Sequence, residues 1–556
     1  MKKNIINNIK NLNLYINKKI KIKGWINNIN FFKKSNIIFI NLKDNYGNIQ
    51  IVITNNFFDK KKINTIKKYK IYYLLEIIGI VKNKKIKKPN SNENEYEIIA
   101  CNIFLINKSK KLPININKNF SDINKIKYRY LYFRQNKNLF NNILKRSELL
   151  FLINKFMNKN EFINIETPII SKNISEGSKN FNIISNTYKK HKKYSLSQSP
   201  QIFKQLLIIS GFNKYYQISK CFRDEDIRSN RQPEFTQLDI ESSIVDNNFI
   251  LKISEKLIKY IWNKINNVKI NNFKYIKYKD SIRMYGTDKP NINNYLTLYN
   301  IKDDIYNKIN EEENLFFINI LNNHCCYIKN KIKKIIKHNF IKFEDLLNII
   351  IKKIKNNYIN IEKKEILNKL NKIKNNKINS DIYFITKDKN IIYYINELRN
   401  IIWENTNINN NDINPIWVLN FPMFEINKEK LKCVNHPFTM PIIKKEDIEN
   451  NIIKNPLNIY SKSYDLVING IEIASGTERI NDYKLQKIIF NTLKININKQ
   501  KKEFGFFLES LKYGTPKHNG IAFGLDRIMM LLTNEKDIKN VIAFPKTNNL
   551  LDITNI

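Results

Sequence analysis

Six of the twelve glycines in this 556-residue chain lie between Gly470 and Gly524. Glycine tolerates positive φ and lets backbones and ligands approach closely. A chain that uses it so rarely keeps it where geometry demands it, so residues 470–524 are a candidate site on composition alone. Arginine reads the same way. Asn, Ile and Lys dominate every stretch, the signature of AT-biased coding, and only ten of the 96 basic residues are Arg. Lys suffices where charge alone matters, whereas Arg adds a planar fork that binds carboxylate or phosphate bidentately. The cluster Arg223, Arg228 and Arg231, with the isolated Arg479 and Arg527, is therefore a candidate recognition set. Arg129, Arg134, Arg146, Arg283 and Arg399 read equally well as structural ion pairs.

The formal net charge is +46. Part of it is compositional drift, yet so basic a chain favours a polyanion partner. Charge alone does not separate tRNA from rRNA or DNA. A hydrophobic share of 42% excludes a disordered polycation. No uncharged apolar run reaches the length of a membrane span, and the basic N-terminus lacks the apolar core of a secretory signal. The five cysteines have no C-x-x-C spacing, which disfavours a zinc site or disulfide scaffold and points to a reducing compartment.

Residues 1–107 read as five β-rich runs with a helical pattern near 57–70, the arrangement of a small OB-type barrel. Residues 108–136 read as a linker. A helix follows, with Leu139, Phe140, Ile143, Leu144, Leu150, Ile153 and Phe156 as its apolar stripe. Mixed strand and helix patterns over 137–290 break off at a Lys/Ile/Asn-rich segment, 291–412, that reads as an inserted domain. Strand-like text resumes over 413–556 and ends in a buried-type helix at Leu525–Leu532.

Two segments carry chemistry. From Cys221 to Glu241, two strand-like ends flank a charged loop. Arg223 and Glu225 share one face at i, i+2 spacing, as do Asp239 and Glu241. From Gly520 to Leu532, an apolar strand meets a glycine turn and a helix with Arg527 in its first turn, a setting suited to polyphosphate. The Walker lysine pattern is absent, which excludes a P-loop.

These segments, with the helix and strand that end at Pro168, match the three signatures of class II aminoacyl-tRNA synthetases. Over nearly its whole length the chain resembles the bacterial-type aspartyl-tRNA synthetases. The resemblance rests on Tyr128-Arg-Tyr-Leu131, Glu166-Thr-Pro168, Ser175-Glu-Gly177, Gln198-Ser-Pro-Gln-Ile-Phe-Lys-Gln205, Tyr285-Gly-Thr-Asp-Lys-Pro290, Phe421-Pro-Met-Phe-Glu425, His436-Pro-Phe-Thr439 and the stretch from Phe504 to Thr547.

The resemblance implies a multidomain α+β fold: an OB-fold anticodon-binding barrel and an antiparallel catalytic sheet flanked by helices and interrupted by an inserted α/β domain. It implies an aspartate–tRNA ligase that uses ATP and Mg²⁺ to make aspartyl-adenylate and charges the 3′ end of tRNA(Asp). The enzyme would be a cytoplasmic homodimer, paired through the helix around 139–157. By matching position, Lys204 and Arg479 would hold the substrate side-chain carboxylate, with Asp239 completing the ion network and His436 beside them. Glu176 and Gln201 would position the α-ammonium group. Arg223 would bridge aspartate and the ATP α-phosphate, and with Arg527 it would carry catalysis. Asp224, Glu225, Gln232, Glu472, Gly524, Leu525, Asp526 and Arg527 would contact ATP, Glu472 through Mg²⁺. Phe39 would stack on an anticodon base while Gln50 and Glu97 read base edges.

The chain departs from the family at Asn435, where a second His is usual, and at Ala474-Ser-Gly-Thr477, where Gly-Gly-Gly-Ser is usual. Ser178-Lys-Asn180 replaces Ala-Arg-Asp, and Asn27 and Asn28 replace arginines. Two alternatives stay open: an enzyme charging both tRNA(Asp) and tRNA(Asn), and an inactive RNA-binding paralogue.

Overall fold

The computed structural model describes residues 12–32, 37–44, 46–84, 95–113, 121–172, 179–185, 194–243, 248–294, 297–300, 314–320, 380–386, 412–443 and 454–554, with Ile9, Thr187, Asn396, Arg399, Asn400, Trp403 and Ile452 singly. The chain divides into two compact units, 1–120 and 121–556. None of the described helices is long and apolar enough to cross a membrane.

In the first unit, β1 (Lys19–Phe32), β2 (Ile37–Lys43), β3 (Asn48–Ile53), β4 (Leu74–Asn83) and β5 (Tyr96–Asn107) close into a barrel in the order β1-β2-β3-β5-β4. Helix α1 (Lys60–Ile66) lies between β3 and β4, capped by Asp59. Strict alternation drives closure. Ile38, Ile40 and Leu42 of β2 point inward, as do Ile20 and Ile22 of β1 and Ile49, Ile51 and Ile53 of β3. The opposite face of β2 carries Phe39 and Asn41 outward.

The second unit begins earlier than the sequence suggests. Residues 121–136, expected as the end of a linker, form α2 (Asp122–Lys127) and α3 (Arg129–Gln135). Buried Arg129 ties them down, donating to the carbonyls of Lys539 at 2.6 Å, Ile542 at 2.7 Å and Ala543 at 2.8 Å. Their Asn and Lys content masked two short helices whose apolar anchors are Ile126 and Leu131.

Next come α4 (Lys137–Lys159), β6 (Ile163–Asn164), β7 (Ile170–Lys172), β8 (Asn182–Ile183), β9 (Tyr194–Leu196), α5 (Gln201–Ile209), β10 (Lys214–Phe222), β11 (Glu234–Ser242), α6 (Phe249–Asn266), β12 (Lys274–Lys277) and α7 (Tyr278–Tyr285). Within 291–412, which lies mostly outside the described residues, the backbones of β13 (Leu298–Asn300), β14 (Asn314–Ile320) and β15 (Ser380–Thr386) form an antiparallel sheet. Most of the inserted domain expected there falls outside the described residues. The chain continues through β16 (Pro415–Leu419), β17 (Phe424–Asn427), β18 (Lys430–Cys433), β19 (Ser463–Ile468), β20 (Ile471–Glu478), α8 (Tyr483–Thr492), α9 (Ile497–Ser510), β21 (Asn519–Gly524) and α10 (Leu525–Thr533).

Eight of these strands form one sheet, ordered β12-β16-β19-β20-β21-β11-β10-β6. It is antiparallel except for the parallel pairs β12/β16 and β10/β6 at its edges. One face packs Leu238, Ile240, Leu466, Ile521 and Phe523 against α4, α6 and α10. That core leaves the polar face free for a site.

On α4 the buried set is Leu139, Asn142, Leu149, Leu152, Ile153 and Met157, whereas Leu144 is exposed. The expected stripe thus differs in part. Asn142 occupies the buried face because its amide reaches Glu535 at 2.9 Å and the Asn540 carbonyl at 3.2 Å, a pairing an apolar pattern does not reveal.

Candidate active site

Side-chain alternation builds the site. On β11, Gln237, Asp239 and Glu241 share the polar face, and β21 opposes them with Gly524, Ala522 and Gly520. Beyond β21, the same face carries Ser475 and Thr477 of β20 and then Asp465 and Ser463 of β19. Three small residues in the middle strand leave a trough between two polar walls. The resulting cleft has a volume of about 810 Å³ and is lined by Gln201, Lys204, Arg223, Asp239, Glu472 and Arg479, among others.

At one end lies a buried charge quartet. Helix α5 delivers Lys204, 1% exposed, to Asp239 at 3.1 Å and Glu241 at 3.7 Å. Arg479 forks onto Glu241, with Nε donating at 2.8 Å and Nη2 at 3.0 Å. Ser219 donates to the second oxygen of Asp239 at 2.6 Å. Burial opposes the charge on Glu241, but Arg479 and Lys204 outweigh it and hold the carboxyl below its ordinary value. A β-carbon at 520 would land on the Glu241 carboxylate and against Arg479, so only glycine fits there.

Nη1, the remaining nitrogen of the Arg479 guanidinium, meets Thr477 Oγ1 and His436 Nε2, each at 2.5 Å. Burial, reinforced by Arg479 and Lys204, pushes His436 well below its ordinary value. His436 is therefore a neutral acceptor that orients the guanidinium. Two buried amide nitrogens in the lining have no partner: Gln201 Nε2 and Asn435 Nδ2.

The other end is built for phosphate. Arg223 stacks over the Phe235 ring at 5.0 Å, its buried Nε unpartnered. Arg527, in the first turn of α10, donates to the Glu472 carbonyl at 2.8 Å and lies 3.5 Å from the Glu472 carboxylate. Lys289 Nζ sits 3.2 Å from the other carboxylate oxygen. Glu472 faces the cleft because the β19/β20 register slips between Leu466 and Val467. The bulge puts Val467 opposite Glu472, and so places Glu472 on the same face as Asp465.

Asp465 is buried and its Oδ1 has no partner. Burial, then the Glu472 charge, raises its carboxyl well above the ordinary value. Glu472 goes the other way: burial opposes its charge, but Lys289 and Arg527 outweigh burial. No group of three or more His, Cys, Asp or Glu side chains among the described residues is arranged to hold a metal. Two carboxylates with hard oxygens, one of them orphaned, fit an ion such as Mg²⁺ that takes most of its ligands from substrate phosphates and water.

A carboxyl held high keeps its proton in the fold where the unfolded chain has lost it. Stability therefore falls as pH rises above the ordinary Asp range, and the cost is present at neutral pH. Asp465→Asn should raise the ligand-free Tm at pH 7 by roughly 2 °C or more. The gap should close as pH falls below the ordinary Asp range. Equal melting temperatures at pH 7 would contradict this account.

The other expected residues divide, some lining the cleft and some not. Asp526 is spent on Arg146 at 2.5 Å and the Thr236 amide at 2.9 Å, so its carboxylate is structural although it borders the cleft. The Leu525 side chain belongs to the core, leaving only its backbone near the site. Asp224 is exposed and lies outside the cleft lining. Gln232 lines the cleft, but its amide oxygen accepts from the Lys546 backbone at 2.8 Å. Glu225 lines it too, 3.3 Å from Arg231. Gly524 is in place. Glu176 lies outside the described residues. Sequence reading noticed Glu241 without giving it a role, and it missed Asp465, Thr477 and Lys289. The Asn469-Gly470 turn signals the hairpin that brings Asp465 and Glu472 together.

On the barrel, Phe39 stands on the outer face of β2 with the Phe32 ring edge-on at 5.4 Å. Gln50 donates to Glu97 at 3.2 Å across the parallel β3/β5 pair.

Residues 122–548 match the family described as tRNA synthetases class II (D, K and N), and residues 20–106 match the OB-fold nucleic acid binding domain. The chain is 39% identical to the aspartate–tRNA ligase of Buchnera aphidicola subsp. Baizongia pistaciae, covering 96% of this chain and 95% of the relative. Against the same-named enzyme of the subspecies Schizaphis graminum, identity is 41%, covering 96% and 93%. The aspartate–tRNA(Asp/Asn) ligase of Borreliella afzelii is 36% identical, covering 96% and 92%. Among solved structures, the asparaginyl-tRNA synthetase of Pyrococcus horikoshii, complexed with asparaginyl-adenylate, superposes with a TM-score of 0.63. That match covers 98% of this chain and 100% of the other at 16% identity, a likeness of fold.

Proposed function

The chain belongs to the class II tRNA synthetases of the D, K and N group, and on that premise we propose that it is an aspartate–tRNA ligase. It activates L-aspartate with ATP and transfers the aspartyl group to the 3′ end of tRNA(Asp). One observation carries the choice of amino acid: the buried Lys204 and Arg479 at the end of the cleft. An ammonium and a guanidinium offer only donors. A carboxylate can accept from both, whereas the NH₂ of asparagine would face donors with nothing to receive its own protons.

In this reading the aspartate side chain lies against Lys204 and the Arg479 guanidinium. The unpartnered Gln201 amide and the Asn435 amide line the space for the rest of the amino acid. One α-carboxylate oxygen attacks the α-phosphorus of ATP, and the bond to pyrophosphate breaks. Arg223 holds the α-phosphate and Arg527 the outer phosphates, where charge builds as the bond breaks. Asp465 and Glu472 would hold Mg²⁺, which when bound adds charge neutralisation on the phosphates. No protein nucleophile is required. Cys221, the one cysteine beside the quartet among the described residues, is pushed up to about 12 by burial and then by Asp239, so it stays a thiol. In the second step the terminal ribose hydroxyl of tRNA attacks the adenylate carbonyl, and AMP leaves.

The test is ATP–pyrophosphate exchange with aspartate and with asparagine, followed by charging of tRNA(Asp) and tRNA(Asn). Exchange with aspartate alone supports the reading. Failure with both amino acids, in folded protein, sinks it. Charging of both tRNAs would instead place the chain with relatives named for dual tRNA use.

The barrel reads the anticodon in this proposal, with Phe39 stacking on a base and Gln50 and Glu97 at base edges. Phe39→Ala should raise the KM for tRNA about tenfold, since one stacked base contributes about 1–3 kcal/mol. Exchange without tRNA should not change. An unchanged KM for tRNA would remove Phe39 from the interface. Exposed Leu144 and Phe151 on α4 support pairing of two copies through that helix. The three described cysteines are free thiols, in keeping with a cytoplasmic enzyme.

A further inference from the structure

We propose that Lys289 is an exchangeable resident cation of the nucleotide–metal pocket, holding Glu472 and Asp288 until phosphates and metal arrive together. Lys289 Nζ lies 3.2 Å from Glu472 Oε2 and 3.6 Å from Asp288 Oδ2. Arg527 approaches the opposite oxygen, Glu472 Oε1, at 3.5 Å. Asp465 completes the pocket, its Oδ1 buried and unpartnered. Asp465 keeps its proton, so the carboxylate charge of the pocket is that of Glu472 and Asp288, which the two protein cations Lys289 and Arg527 balance.

A divalent ion arriving alone finds that charge already largely answered. When a polyphosphate arrives, it brings new negative charge. The metal then becomes favourable, and the ammonium can turn from Glu472 to a phosphate oxygen. Lys289 can make that move cheaply because its side chain is 36% exposed.

Its backbone is fixed. Asn291 packs against Gly470, and Asn293 reaches Asn469 Oδ1 at 3.3 Å. Asn469-Gly470 is the turn joining the strands that carry Asp465 and Glu472. The hairpin that holds the carboxylates therefore also sets the lysine. This inference rests on the nucleotide-binding reading above and adds a positioning residue to it.

The test is Mn²⁺ binding by the full-length protein without nucleotide, followed by electron paramagnetic resonance. Mn²⁺ takes the oxygen ligands of Mg²⁺ and reports directly. Removing one positive charge a few ångströms from the ion should tighten Mn²⁺ binding about tenfold after solvent screening. Lys289→Met should show that gain, and Lys289→Arg, which keeps the charge, should stay near wild type. Lys289→Gln serves as the second neutral variant if Lys289→Met does not fold. Adding Glu472→Gln should abolish the gain, which locates the ion. A merely structural lysine would leave Mn²⁺ affinity unchanged or weaken it on removal, and either result overturns the proposal. Aspartate-dependent exchange on the same wild-type preparation separates the two readings: its absence sinks the activity, while the Mn²⁺ titration still decides Lys289.

Discussion

Arg479→Ala should lower kcat/KM for aspartate-dependent pyrophosphate exchange about a thousandfold, with exchange falling close to background. Removing one partner of a buried ion pair costs about 3–5 kcal/mol, because the other charge is left uncompensated. Here that charge is Glu241, fully buried and held at two oxygens by Arg479. Lys204 at 3.7 Å cannot take over both contacts. Substrate loses a donor at the same time. About 4 kcal/mol corresponds to roughly a thousandfold in rate. A thermal melt on the same sample separates loss of fold from loss of recognition. Arg479→Lys keeps the charge but not the fork, and it should also fail to activate aspartate. Near-wild-type exchange in folded Arg479→Ala would show that another group reads the substrate carboxylate.

Arg223→Ala should act on the other half of the reaction, cutting kcat about a hundredfold to a thousandfold. A group that meets charge developing in the transition state is worth about that much. Arg223 is set for the task by its neighbours. Phe235 supports its plane, and its backbone amide donates to Pro233 at 2.8 Å, closing the base of the charged loop. Among the described residues its guanidinium forms no salt bridge, so removal leaves no orphaned carboxylate there, and the loss should fall on kcat more than on stability. Arg223→Lys should recover part of the rate through charge alone. An unchanged kcat in Arg223→Ala would exclude it from the reaction.

Much of this site could be read from residue types. Scarce glycines and arginines pointed to residues 470–524 and to Arg223, Arg228, Arg231, Arg479 and Arg527, and all of these arginines except Arg228 line one cleft. The period-two pattern of the barrel strands was legible because one face is uniformly apolar. What stayed hidden depended on register and partners. No side chain near Ile473 announces the slip that turns Glu472 toward Asp465. Asp526 stands in a motif with Arg527, yet it faces Arg146, a residue 380 positions away. Asn142 on α4 and the helices around Arg129 were obscured alike, because polar residues that pair in the interior look like surface residues in a one-dimensional pattern.

The contact between Gly520 and the Glu241 carboxylate has a consequence for how such a chain can change over time. Asn, Ile and Lys dominate the sequence, as drift toward AT-rich codons would leave it. At this contact such drift meets a lock. Any side chain gained at 520 would displace the Glu241 carboxylate, and any shortening at 241 would strand the Arg479 guanidinium. Neither position can change first without crossing a strongly destabilised intermediate. The pair should therefore persist together or disappear together, and a lineage that loses one member has abandoned the pocket rather than remodelled it.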